Sequence, residues 1–66
     1  MAAPSWYTVA EVAQLLHCSR LAAWRALQPH RAQCHLARRG QHPRLHLWAP
    51  ASVVQLVVQR RRQRGQ

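Results

Sequence analysis

The run Thr8-Val9-Ala10-Glu11-Val12-Ala13-Gln14-Leu15-Leu16-His17-Cys18-Ser19-Arg20-Leu21-Ala22-Ala23-Trp24-Arg25-Ala26-Leu27-Gln28 decides the fold. Thr8 and Glu11 stand in the T-x-x-E spacing of a capping box, in which each side chain satisfies a free backbone N–H of a helix's first turn. Val9, Val12, Ala13 and Leu16 recur at i, i+3, i+4 and i+7, one apolar stripe of a helix. His17-Cys18 interrupts the stripe, and Ser19 is a good N-cap for a second helix. On that helix Ala23, Ala26 and Leu27 share one side, and Leu21, Arg25 and Gln28 share the opposite one. Arg20 and Trp24 sit on the boundary. The spacing predicts helices over 8–16 and 19–28 joined by a tight turn. Ala13, Ala23 and Ala26 leave little bulk between two helices that cross closely, without glycine's entropic cost. The turn has no glycine. His17 stands in that place, and His tolerates left-handed backbone better than most residues.

Downstream, Pro29 stops the second helix because it lacks an N–H and its ring clashes with the preceding turn. His30 to Gln33 reads as a polar connection. Residues 34–38 and 44–48 then flank a turn punctuated by Gly40 and Pro43, which predicts a two-stranded hairpin with Arg38, Arg39 and Arg44 near its tip. A lone hairpin is marginal in water, so it must lean on the helices, with Leu45, Leu47 and Trp48 as the contacts. Pro50 suits the first position of a last helix, in which Val53, Val54, Leu56, Val57 and Val58 cover one broad side. The β-branched density there also fits a strand, but Pro50 and the length favour a helix. Residues 60–66 read as a basic tail, frayed or disordered. Upstream, 1–5 is a loose lead, and Trp6-Tyr7 is expected to pack back on the first turn as a hydrophobic staple, with Trp6 in the core. The expected architecture is mainly α with a small β-hairpin, in the order α-α-β-β-α, as one domain over 6–59.

Composition narrows the function classes. Sixty-six residues allow one small domain, which buries only roughly 60% of its unfolded surface and leaves no room for a cleft between domains. Ten basic residues, all of them arginine, face a single acid, Glu11, for a formal net charge of +9. Such a balance implies a polyanionic partner, and arginine's planar fork suits phosphates and guanine edges. Cys18 and Cys34 form no C-x-x-C pair, so neither a zinc ribbon nor a thioredoxin-like motif is available. The longest apolar runs are too short for a signal peptide or a membrane span, so a reduced, cytoplasmic setting is expected.

The residues resemble a family, the winged helix-turn-helix proteins of the excisionase and MerR-type group. The matching parts are Tyr7 to Leu16, then Ser19-Arg20 through Trp24-Arg25-Ala26-Leu27, then the hairpin as the wing, and Pro50-Ala51-Ser52-Val53. The N-terminal DNA-binding domains of Mu-like phage transposases and repressors look similar too. The resemblance covers roughly positions 6–58 and implies sequence-specific binding of double-stranded DNA by an excisionase or small transcription regulator. Bound side by side, such proteins bend DNA and recruit a recombinase, transposase or RNA polymerase. The second helix is then the reader, carrying Ser19, Arg20, Leu21, Trp24, Arg25 and Gln28. Arg to guanine and Gln to adenine would carry sequence information, and Leu21 would meet a thymine methyl. Arg20 and Arg25 contact either bases or phosphates. Trp24 either packs beneath the wing or lies along the DNA backbone, and packing is the expectation. Arg38, Arg39 and Arg44 would enter the adjacent minor groove or clamp phosphates. Arg60 and Arg61, with the rest of the tail, would add sequence-independent, salt-sensitive attraction.

Other chemistries find less support. His42 and His46 are four apart, a spacing that does not converge in a hairpin as it would on a helix. His30, Cys34 and His35 match no metal-site pattern, so no metal or other cofactor is expected. Glu11 is the only carboxylate and is taken by the capping box, which leaves paired-carboxylate catalysis without its second member. Ser19 or Cys18 beside a histidine lacks an orienting acid. No enzyme activity is expected. The alternative is an RNA- or ribosome-associated basic protein, for which charge alone suffices but which lacks paired exposed aromatics. A cationic membrane-active helix over 53–64 is disfavoured because its arginines cluster at one end.

Overall fold

The computed structural model describes residues 6–64. The lead 1–5 and the last two residues of the expected tail lie outside them. Three α-helices and a three-stranded antiparallel sheet form a small fold of both element types. In chain order these are β1 (Trp6–Thr8), α1 (Val9–Leu16), α2 (Arg20–Leu27), a 3-10 helix (Gln28–Gln33), β2 (His35–Arg38), β3 (Leu45–Pro50) and α3 (Ala51–Arg64).

The capping box at the start of α1 is complete. The Thr8 N–H donates to Glu11 Oε1 at 3.0 Å, the Thr8 hydroxyl donates to the same oxygen at 3.0 Å, and the Glu11 N–H donates to Thr8 Oγ1 at 3.3 Å. At the other end His17 takes the left-handed conformation, φ 53° and ψ 48°. Its N–H donates to the Gln14 carbonyl at 3.3 Å and the Cys18 N–H to the Ala13 carbonyl at 3.0 Å. That pair of bonds is the Schellman arrangement, which satisfies carbonyls the helix would otherwise leave open. Ser19 then caps α2, its Oγ accepting from the Ala22 N–H at 3.1 Å.

Two stretches expected to be irregular are helical. Pro29 ends the α-helix, but the chain tightens into the 3-10 turn over 28–33 instead of running free, with Pro29 in its first turn and a kink at His30. A proline at a helix start loses no bond, because its missing N–H would have had no partner there. The arginine-rich segment after Gln59 continues α3 to Arg64. Arginine is a good helix former, and no glycine or proline stands between Ala51 and Arg64 to stop propagation. Pro50 closes β3 instead of opening α3.

The hairpin forms, and the sheet goes beyond it. β3 is the central strand, pairing with β2 on one edge (Leu36 opposite Leu47, Arg38 opposite Leu45) and with β1 on the other (Trp6 opposite Pro50, Tyr7 opposite Ala49). A strand before α1 is an addition to the expected α-α-β-β-α order. Trp6 is therefore a strand residue, 39% exposed, and not a core staple.

The core lies between one sheet face and the three helices. Leu47 and Ala49 of β3 meet Val12, Ala13 and Leu16 of α1, Ala23 and Leu27 of α2, and Val53, Val54 and Val57 of α3. Thr8, at the junction of β1 and α1, is the buried polar residue among the described ones, and its cap bonds explain why it is tolerated there. Ala13 and Ala23 let α1 and α2 approach, as their size requires. Leu56, expected on the buried side of α3, is outside, and so are Leu45 and Leu36 where the hairpin extends past the helices.

Candidate nucleic-acid interface

α2 is held from one side only. Ala23 and Leu27 are buried against α1 and α3, while Leu21, Trp24 and Arg25 form an outward stripe at i, i+3 and i+4. Leu21 is 56% and Trp24 42% exposed, so Trp24 does not pack beneath the hairpin as expected. The physical reason is that the core is filled by Ala23 and Leu27, leaving the indole no inward volume. Arg20 is exposed and lines a shallow groove with Gln14, His17 and Cys18 where α1 turns into α2. Gln28 is only half exposed, and its Nε2 donates to the Trp24 carbonyl at 3.1 Å. That bond closes the end of α2 and competes with any reading of adenine by the same amide. Ser19 likewise uses its hydroxyl oxygen as the cap acceptor.

The helical continuation of α3 changes the setting of the tail arginines. Arg60 and Arg61 line one cleft of about 390 Å³ together with Arg25 of α2 and His30 of the 3-10 helix. Leu16, Ala26 and Val57 contribute apolar wall. The sequence placed Arg25 and the tail in separate groups and gave His30 no part. The signal that would have joined them is the unbroken helix propensity from Ala51 through Arg62, which projects Val57, Arg60 and Arg61 at i, i+3 and i+4.

Arg38 ends β2, Arg39 follows it and Arg44 precedes β3, and all three are exposed. The turn between them is tied by its own bonds. Gly40 takes φ 58°, the His42 N–H donates to the Arg39 carbonyl at 3.0 Å, and the Arg44 N–H donates to His42 Nδ1 at 3.1 Å. Arg39 is also near enough to α1 to favour the Glu11 carboxylate. The backbone hydrogen bond from Thr8 is the largest influence on that carboxyl and holds its pKa below the ordinary value. Burial opposes it more weakly, and the Thr8 hydroxyl and Arg39 add to the lowering. The chain's one acid is thus engaged in the cap.

His42 and His46 do converge, contrary to the sequence expectation: their rings meet edge to face with centroids 4.7 Å apart. The turn after β2 folds His42 back over the strand that carries His46, which spacing alone does not reveal. No three metal-binding side chains gather among the described residues. Cys18 and Cys34 are both unpaired thiols, and burial raises the Cys34 pKa. No helix among the described residues is long and apolar enough to cross a membrane. Comparison with protein-family models, curated proteins and solved structures gives no match for this chain.

Proposed function

We propose that this chain binds double-stranded DNA in a sequence-specific manner as a winged helix-turn-helix, with α2 in the major groove and the β2–β3 hairpin as the wing. The observation that carries the reading is the outward stripe of α2. Leu21, Trp24 and Arg25 are exposed on a helix whose other side is buried, next to a cleft that adds Arg60 and Arg61. Exposed leucine and tryptophan beside arginine make poor solvent-facing surface but suit a groove that offers thymine methyls, guanine edges and phosphates. Arg20 and Arg25 are the base-reading candidates, Arg38, Arg39 and Arg44 the wing contacts, and Arg60 and Arg61 the phosphate contacts. The resemblance to the excisionase and MerR-type group supports a role as an excisionase or small transcription regulator in the cytoplasm, self-associating on DNA and recruiting a recombinase, transposase or RNA polymerase.

The test begins with selection of a preferred duplex from a random pool by the whole chain. Arg25→Ala should then lower preference for that duplex over a scrambled one by about 1–3 kcal/mol for a lost bidentate contact. Joint Arg60→Ala and Arg61→Ala should weaken both duplexes alike and flatten the salt dependence. Failure of the pool to converge on any sequence would sink the reading.

A further inference from the structure

The sheet has a second face, turned away from the helices, and its residues are unusual for a surface. Opposed residues of an antiparallel pair share a face, so Trp6 with Pro50, His35 with Trp48, and Ala37 with His46 all lie on this side. The Trp6 and His35 rings lie 4.9 Å apart, tilted by 53°. The Trp48 Nε1–H donates to the Ala37 carbonyl at 3.0 Å, which lays the indole across β2. His46 continues the row and meets His42 of the turn at 4.7 Å. Two indoles and three imidazoles thus run from one sheet edge to the hairpin turn, where Arg39 and Arg44 stand exposed. Trp6, at the far edge, is 39% exposed, while Trp48 and His46 are half-buried beside it and offer only part of their rings.

The occupant follows from charge as well as shape. The chain carries +9 and one acid, and that acid is engaged in the cap of α1. Away from nucleic acid, where no phosphates offset its charge, a second copy of so cationic a chain would be repelled, whereas a polyanion would be drawn in. Indole and imidazole faces stack on exposed nucleobases, and stacking tolerates any base because every base offers a π-face. A duplex hides those faces within its own stack, and a single strand offers them. We propose that the outer face of the sheet binds single-stranded nucleic acid, unpaired bases stacking on Trp6 and Trp48 while Arg39 and Arg44 hold the phosphates at the hairpin end. This surface uses no residue of α2 but shares Arg39 and Arg44 with the proposed wing, so Trp6, which the duplex reading does not use, is the residue that separates the two. It also supplies the paired aromatics that the sequence alone does not display.

The test uses the whole chain, with fluorescence anisotropy of labelled oligo(dT) and oligo(U) of roughly a dozen nucleotides and of a duplex of equal length. Trp6→Ala, at an exposed strand end, should fold and should weaken single-strand binding by about tenfold, with duplex binding essentially unchanged. Arg25→Ala should do the reverse. Trp24→Phe should retain the quenching of tryptophan emission that oligo(dT) causes, because the stacked indoles are Trp6 and Trp48. Preference for oligo(U) or oligo(dT) identifies RNA or DNA as the source of the strand, and either supports the proposal. Three results would overturn it: single-strand binding untouched by Trp6→Ala, equal loss on single strand and duplex, or the same quenching with neutral lipid vesicles or on self-association without nucleic acid.

Discussion

α1 and α2 are both eight residues long and both begin at a hydroxyl cap, yet they are held in opposite ways. α1 is fixed at each end, by the reciprocal Thr8–Glu11 box and by the left-handed His17, and it buries Val12, Ala13 and Leu16. α2 is capped at its start by one exposed bond to Ser19, is closed at its end by the Gln28 amide, and buries only Ala23 and Leu27. Its remaining large apolar side chains, Leu21 and Trp24, stay outside, against Leu15 alone on α1. α1 is the more firmly anchored helix and α2 the more exposed one.

Three measurements test that contrast. The largest effect should separate the two sides of α2 itself. Leu27 is 0% exposed, so Leu27→Ala should cost about 2–5 kcal/mol in a urea titration, enough to unfold much of a chain this small. Leu21→Ala should stay within about 0.5 kcal/mol of the parent. A Leu21→Ala loss as large as that of Leu27→Ala would make the outward stripe part of the packing and remove the contrast.

The caps come next. Thr8→Ala breaks a buried, reciprocal pair and should cost about 1–2 kcal/mol, whereas Ser19→Ala removes one exposed bond and should cost about 0.5–1 kcal/mol. Melting points resolve the two, since roughly 4–8 °C accompanies each kcal/mol in a domain of this size. The reverse order would mean that α2 depends more on its own cap than α1 does.

The smallest effect concerns pH. The folded-state Glu11 carboxyl binds its proton less readily than the unfolded one, chiefly because of the Thr8 N–H. Its contribution is therefore complete above the ordinary value of 4.5 and lost as the pH falls through the lowered one. Glu11→Gln keeps an acceptor for the Thr8 N–H but no charge. It should make stability flat across that window, where the parent loses about 0.3–1 kcal/mol. A parent curve that matches the Gln variant would show the charge of the cap to be idle.

What the sequence made legible was local. Thr8 to Glu11, His17 and Ser19 each carry their signal within a few positions, and the structure has the cap, the left-handed turn and the second helix in place. Gly40 and the alternation around it marked the hairpin for the same reason. β1 was not legible, because three residues are too few to display alternation and their partner on β3 lies at the far side of the chain. Trp6 and Trp24 were misplaced for a related reason. An aromatic beside a helix reads as core unless one knows that smaller side chains have already filled it. Of the candidate site, Leu21 and Arg25 on the outer side of α2 were visible, whereas Trp24 was expected to pack inward and Gln28 proves only half exposed. The meeting of Arg25 with Arg60 and Arg61 was not visible, since a run of arginines reads as a solvated tail until the helix before it is seen to continue.

The pairing of β1 with β3 bears on the life of the fold. β2 and β3 are neighbours in sequence, and so are α1 and α2, so both units close short loops and can form early. Tyr7 opposite Ala49 joins the start of the described chain to the strand just before α3, a long closure that should form after the local units have collapsed. A contact made after the folding barrier leaves the rate of formation alone and slows escape. The two limbs of a folding chevron separate these cases, and substitutions in β1 should move the unfolding limb. Should the unfolding limb alone respond, three residues at the sheet edge set how long the protein stays folded, while the helix pair and the hairpin set how quickly it gets there.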